Sequence, residues 1–263
     1  MADGICHLGG TDGPSFRGTG TPVLAVRPAR DVIAVLRLAD GDGDGDECGC
    51  GDGCGCGCGD SLHPAERALV RGSPPARRRD FAAGRAAAAD ALRLLGRSGP
   101  VLREARRPRF PTGVRGSISH CRGAVATCLA TTRRDISAVG VDVERVGRLS
   151  PETAGLVCTP AERDLVADGD VAGRLLTVMF SAKEAFYKAA TALELPREPV
   201  FHDLEVRPDP CQANGSGHAN ANGLCLTPAA GLLPDGCTVR GQVRSVGPYV
   251  WTTVLLQPGD GTP

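Results

Sequence analysis

Asp142 and Glu144 stand two residues apart in the segment Gly140-Val141-Asp142-Val143-Glu144. A third carboxylate, Glu184, follows in Phe180-Ser181-Ala182-Lys183-Glu184-Ala185-Phe186-Tyr187-Lys188. Side chains at i and i+2 of a strand point to the same face, about 7 Å apart along the backbone. Asp142 and Glu144 would therefore present two carboxylates together at a strand end, while Val141 and Val143 turn the other way into the core. Paired carboxylates repel each other unless a cation or a proton lies between them. A hard divalent ion such as Mg2+ relieves that repulsion, because it accepts one or two protein carboxylates and keeps waters and phosphate oxygens as its other ligands. The polar edge of a half-buried strand would carry the same two residues, so the pair alone does not define a site.

Glu184 and Lys188 are one helical turn apart and share a face. A surface ion pair has the same spacing. Here, however, Phe180, Ala185, Phe186 and Ala189 make the segment strongly apolar. Such a helix packs closely, and its charged residues are expected to face a cleft. The lysines add a compositional signal. Of the 30 basic residues only Lys183 and Lys188 are lysine, and the other 28 are arginine. Lysine is a compact point charge and arginine a planar fork, so keeping both lysines beside Glu184 points to a specific use. Three carboxylates flanked by ammonium groups suit a site where a metal and lysines neutralise a polyphosphate.

The elements that must position these residues read as follows. Residues 22–38 form two β-rich stretches separated by a Pro-containing turn. Residues 40–60 are a Gly/Asp/Cys-rich insertion without apolar periodicity, expected to be disordered. A helix is predicted from Ser73-Pro74-Pro75 to Leu95, with Ser73 as N-cap, Pro74 in the first turn and Gly96 as the stop. An Arg/Pro-rich loop over 103–115 leads to Gly116-Ser117-Ile118-Ser119-His120, followed by strands at Ala124–Ala130 and Ile136–Val143. Thr159-Pro160-Ala161-Glu162 is a capping box that starts a helix. A further helix runs from about Ala172 to Leu193, and strands are expected at 200–206, 237–244 and 249–256. The polar, Gly/Asn-rich segment 209–223 is expected to be a flexible loop. This order predicts an α+β fold with two halves of similar make-up, residues 1–135 and 136–263.

The formal net charge is zero, 30 basic against 30 acidic residues, so no global field favours nucleic acid or a membrane surface. No apolar run reaches transmembrane length. The start, Met-Ala-Asp-Gly-Ile-Cys, lacks the basic and apolar regions of a signal peptide, and a cytoplasmic location is expected. Five of the 12 cysteines (Cys48, Cys50, Cys54, Cys56 and Cys58) crowd into the insertion and the rest are scattered, which gives no disulfide framework.

Taken in order, the motifs resemble the paired signature of the 4′-phosphopantetheinyl transferase superfamily. Gly140–Glu144 and Phe180–Lys188 carry its core. Arg77-Arg78-Arg79-Asp80-Phe81-Ala82-Ala83-Gly84-Arg85, Phe110-Pro111 and Gly116–Cys121 extend the likeness to its monomeric branch, typified by surfactin-type and enterobactin-synthase transferases. The likeness covers about residues 65 to 207. Phe180 stands where many relatives have Trp, a conservative change in a packing role. The 40–60 and 209–223 segments are not family features.

The resemblance implies a pseudo-twofold pair of similar α/β halves, each a small, mostly antiparallel sheet packed with helices, with the active site at their interface. It implies transfer of the phosphopantetheine arm of coenzyme A to a serine of an acyl or peptidyl carrier protein, releasing adenosine 3′,5′-bisphosphate. Asp142, Glu144 and Glu184 would hold Mg2+. Lys188 would contact the phosphates and stabilise the leaving group, with Lys183 assisting, and Glu184 would take the serine proton. Arg77 and Arg85, eight residues apart on one helix, would meet the 3′-phosphate and adenine end of coenzyme A, which suits guanidinium recognition of phosphate. Ser119 and His120 would reach the coenzyme's phosphates, and the loop arginines Arg103, Arg106 and Arg107 are further phosphate candidates. The expected protein is a monomer serving secondary metabolism or siderophore synthesis, without nucleic-acid or membrane partners.

A reading from another class builds on the cysteine run as a soft-metal-binding or redox module. Its C-x-C-x3-C-x-C-x-C spacing is not that of structural zinc sites, although dense thiolates suit Cu(I). A relative that has kept the fold and lost catalysis is a third possibility, against which the intact carboxylates and lysines argue.

Overall fold

The computed structural model describes residues 5–7, 23–38, 62–121, 125–169, 173–208 and 222–259. The cysteine run at 48–58 and most of the expected 40–60 and 209–223 segments lie outside the described residues. Asn222 and Gly223, read from the sequence as loop, instead open a strand. The chain divides into two compact units, Met1–Thr132 and Arg133–Pro263.

The first unit contains β1 (Ile5–His7), β2 (Val23–Ala29), β3 (Val32–Leu38), α1 (Pro64–Ala68), α2 (Pro75–Leu94), β4 (Leu102–Glu104), β5 (Arg107–Arg109), β6 (Arg115–Cys121) and β7 (Val125–Thr131). Its sheet has the order β1-β2-β3-β7-β6, and β4 and β5 form a separate hairpin. Only the β1–β2 pairing is parallel. The Ala-rich α2 packs on β7, β3 and β6, burying Ala87, Ala88, Ala91 and Leu92 against Ile33, Val35 and Cys128. Pro74, rather than Ser73, is the N-cap residue of α2, and no side chain caps it. Prolines at both Pro74 and Pro75 already hold φ in the helical range and carry no amide hydrogen to satisfy.

In the second unit the elements are β8 (Ala138–Arg145), α3 (Ala154–Val157), α4 (Pro160–Gly169), α5 (Arg174–Ala190), β9 (Leu204–Pro208), β10 (Asn222–Pro228), β11 (Thr238–Val246) and β12 (Tyr249–Gln257). The sheet order is β8-β12-β11-β10-β9, antiparallel throughout. Helix α5 packs on β8 and β12, and its Met179, Ala182, Ala185, Phe186 and Ala189 fill the core with Val250, Val254 and Leu256. Both units are thus a five-stranded, mainly antiparallel sheet carrying one long helix, an α+β fold.

Candidate active site

The second unit gathers the carboxylates. Period-two alternation puts Gly140, Asp142 and Glu144 on one face of β8, the face that α5 covers. Gly140 makes this possible. A Cβ there would lie 1.8 Å from the backbone oxygen of Ala185 and 2.9 Å from the amide nitrogen of Ala189. Without that Cβ, α5 lies directly on the strand, and its next turn reaches Asp142. The Lys188 ammonium donates to Asp142 Oδ1 at 2.6 Å and to the Val141 carbonyl at 3.3 Å. Asp142 is 2 % exposed.

Glu144 and Glu184 are half-buried in the same field. Burial, then the Asp142 charge, pushes the Glu144 carboxyl up to about 7, against the pull of Lys188 and Arg148. The Glu184 carboxyl is raised as well, chiefly by burial, with Lys188 opposing and Asp142 adding to the shift. The three carboxylates therefore cost free energy when all are ionised, which a cation would relieve.

The donor set suits a hard cation. Every candidate ligand is a carboxylate oxygen, the chemistry Mg2+ prefers. Thr252 faces Asp142 in the β12–β8 register, and its fully buried hydroxyl has no hydrogen-bond partner among the described residues. A bound water or ion beside Asp142 would satisfy it. Among the described residues no three His, Cys, Asp or Glu side chains close into a cage. Mg2+ does not require one, since it keeps several waters and takes one or two carboxylates.

Lys183 does not join this group. The resemblance implies that it assists Lys188 at the phosphates, but its ammonium is buried in the core. There it donates to Glu162 Oε2 at 2.6 Å and to the Val157 carbonyl at 2.8 Å. Lys183 and Lys188 are five residues apart, which is about 140° around a helix. One points into the core and the other onto β8.

Beside Glu184 lies a cavity of about 280 Å3, walled mainly by Phe186, Tyr187, Val200, Phe201 and Leu204. Its outer wall is the loop before β9. Arg197 holds that loop through two 2.5 Å hydrogen bonds to Asp203, which also accepts from the Val200 amide at 2.8 Å. Tyr187 closes it further by donating to Glu198. This cavity was not foreseen from the sequence. The Tyr187 position and the Pro-rich 196–199 stretch were its only signals.

The first unit carries the basic candidates on α2 and β6. Arg85 is 8 % exposed and stacks on the Phe81 ring at 4.3 Å, donates to the Leu102 carbonyl at 3.1 Å, and has Nε 3.9 Å from Glu66. Burial lowers the pKa of this guanidinium, and Glu66 acts against that shift. Arg77, two turns earlier, is exposed. On β6, Ser117, Ser119 and Cys121 are buried on one face, while Gly116, Ile118 and His120 lie on the other. Ser119 and His120, both expected to reach the coenzyme's phosphates, therefore project to opposite faces. The Phe110 ring sits against Gly116, where a Cβ would approach it to 2.3 Å. Arg103 and Arg107 lie in the β4–β5 hairpin and Arg106 in its turn.

Comparison with known proteins gives a consistent result. The model of the 4′-phosphopantetheinyl transferase N-terminal domain matches residues 65–130, and that of the 4′-phosphopantetheinyl transferase superfamily matches residues 138–226. The 4′-phosphopantetheinyl transferase Npt of Nocardia iowensis is 38% identical over 163 residues, covering 60% of this chain and 73% of that protein. Enterobactin synthase component D of Escherichia coli O157:H7 is 39% identical over 134 residues, covering 49% of this chain. The match spans 61% of that relative's length. The 4′-phosphopantetheinyl transferase Svp of Streptomyces mobaraensis is 36% identical over 159 residues, covering 57% of this chain and 62% of that protein.

Proposed function

We propose that this chain, which belongs to the 4′-phosphopantetheinyl transferase superfamily, moves the phosphopantetheine arm of coenzyme A onto a serine of an acyl or peptidyl carrier protein and releases adenosine 3′,5′-bisphosphate. The observation that carries this reading is the closure of Lys188 on Asp142, with Glu144 and Glu184 in the same field. Phosphoryl transfer asks mainly for alignment and charge neutralisation, and this cluster supplies charges of both signs on two rigid elements.

Asp142, Glu144 and Glu184 would hold Mg2+, which when bound supplies charge neutralisation at the pyrophosphate. Lys188, the partly exposed lysine, would turn its ammonium to the phosphate oxygens and stabilise the charge left on the departing bisphosphate. The carrier serine forms its O–P bond as the P–O bond to the leaving group breaks, and its proton passes to a base. Glu184 suits that role because its carboxyl holds protons more tightly than an ordinary glutamate. The apolar cavity beside Glu184 would take the pantetheine arm, excluding water from the reacting phosphorus. Arg77 and Arg85 would meet the nucleotide end of coenzyme A, with Ser119, His120 and the hairpin arginines as further phosphate contacts. Secondary-metabolite or siderophore carriers, a cytoplasmic location and a monomeric state complete the reading. Among the described residues no helix is long and apolar enough to cross a membrane.

The test is intact-mass analysis of apo carrier proteins incubated with the enzyme, coenzyme A and Mg2+. Carriers should gain one phosphopantetheine arm, and Asp142→Ala and Glu184→Ala should each abolish the gain while leaving the fold intact. No gain on a panel of peptidyl, polyketide and fatty-acid carriers overturns the activity. Full activity in either variant overturns the metal assignment.

A further inference from the structure

The sequence Pro-Ala-Glu-Arg-x-Leu-Val occurs twice, at Pro64–Val70 and again at Pro160–Val166. Each copy opens a short helix, α1 or α4, and its glutamate is buried, Glu66 at 6 % and Glu162 at 0 % exposure. A capping-box glutamate ordinarily satisfies only its own helix start. These two do more, and both bind a remote amide in the same way. Glu66 Oε2 accepts from the His63 amide at 3.1 Å and its Oε1 from the distant Val101 amide at 2.7 Å. Glu162 Oε2 accepts from the Thr159 amide at 2.7 Å and its Oε1 from the distant Val206 amide at 2.6 Å. Each carboxylate then meets a buried cation of its unit's long helix: Glu162 Oε2 accepts from Lys183 on α5 at 2.6 Å, and Glu66 Oε1 faces Arg85 Nε on α2 at 3.9 Å, a charge contact without a hydrogen bond. One carboxylate thus ties together a helix start, a remote backbone segment and the long helix, twice over.

We propose that Glu66 and Glu162 are a duplicated pair of positioning residues, one for each set of ligand-binding groups. Glu66 sets the plane of the Arg85 guanidinium together with the Phe81 ring and the Leu102 carbonyl. Glu162 acts through Lys183 on the next residue of α5, Glu184, and fixes the rotation of the helix that carries Lys188 to Asp142. Lys183 is on this view a positioning residue and makes no substrate contact. A buried ion pair is a weak source of net stability, because desolvation offsets its attraction. Its persistence in both units is better explained by the geometry it imposes. The inference rests on the reading that Arg85 meets coenzyme A and that Glu184 meets the cation.

The test uses the full chain and three variants, Glu66→Gln, Glu162→Gln and the neutral double variant Glu162→Gln/Lys183→Met. The last keeps the core filled should the single change not fold. Coenzyme A and Mg2+ binding are measured by calorimetry at a temperature where each variant is folded by circular dichroism, with kinetics on a responsive carrier alongside. Glu66→Gln should weaken coenzyme A binding and raise its KM about tenfold with kcat within twofold. Glu162→Gln and the double variant should lower kcat and raise the Mg2+ needed for half-maximal rate about tenfold, with coenzyme A affinity within twofold. Lower melting temperatures with unchanged binding and kinetics would overturn the inference, as would the same change of constants at both sites. If wild-type protein itself binds neither coenzyme A nor Mg2+, the functional reading fails first, and the inference with it. Wild-type binding with unaltered variants sinks the inference alone.

Discussion

The two units seat their long helix in opposite ways. In the first, the residue that permits close approach is on the helix. A Cβ at Gly84 of α2 would lie 2.9 Å from the Ile118 side chain of β6. In the second it is on the strand, where Gly140 of β8 receives the backbone of α5. The charged residue nearest each glycine differs accordingly: Arg85 follows Gly84 on the helix, whereas Asp142 shares the strand face of Gly140. The first unit therefore offers cations from a helix, and the second offers carboxylates from a strand with a lysine brought onto them. The same sheet-and-helix plan presents a buried arginine in one case and a carboxylate cluster with its lysine in the other.

Substitutions can break this contrast, and the largest effect belongs to the second unit. Gly140→Ala drives a methyl into helix backbone that cannot rotate away, and should cost about 4 kcal/mol or more or prevent folding. Gly84→Ala, by contrast, meets only the Cγ2 methyl of the Ile118 side chain, at 2.9 Å. Denaturant titration compares the two directly, and equal costs would remove the distinction.

The lysines sharpen it next. Lys183→Met leaves Glu162 buried without its partner and should cost about 3 kcal/mol. Lys188→Met takes the ammonium from the buried Asp142 carboxylate, but at a lysine a quarter exposed to water, so it should cost less than Lys183→Met, about 2 kcal/mol, while abolishing transfer. Transfer retained in Lys188→Met would show that the wrong lysine has been placed at the phosphate.

A smaller effect follows from Glu144. A carboxyl raised on folding adds stability below its unfolded value near 4.5 and loses it as pH climbs through about 7. Metal-free protein should therefore lose on the order of 1 kcal/mol between pH 5 and 8, after allowance for solvent screening. Glu144→Gln should flatten that slope, and Mg2+ should restore stability at the upper end. A slope unchanged by Glu144→Gln would count against the coupling. Gly84→Ala closes the series at about 1 kcal/mol or less, because the helix gain of alanine over glycine offsets part of the contact with Ile118.

How much of this was legible beforehand depends on the range of each interaction. Asp142 and Glu144 were readable because strand periodicity alone puts them on one face. The Thr159–Glu162 capping box was readable because its partners are three residues apart. Adjacency in sequence sets Lys183 beside Glu184, but helical rotation separates it from Lys188 and turns it onto Glu162 in the core. The distant bonds of Glu66 and Glu162 were invisible, since Val101 and Val206 carry no side-chain signal for an amide that needs an acceptor. The repeated heptapeptide could have disclosed them, but it is short and its copies lie far apart. Strand β10 was missed because it begins Asn222-Gly223, residues that ordinarily mark turns. Its place between β9 and β11 overrides that local preference.

The uneven use of cations has a practical side. With Lys183 sealed in the core and Lys188 partly open, an amine-selective acylating reagent meets, apart from the terminal amine, a single accessible lysine on the folded protein. That amine stands on Asp142. Conjugation at Lys188 would attach a fluorophore or crosslinker at the centre of the carboxylate cluster without any engineered cysteine, and arginine elsewhere on the surface would leave the label uncontested.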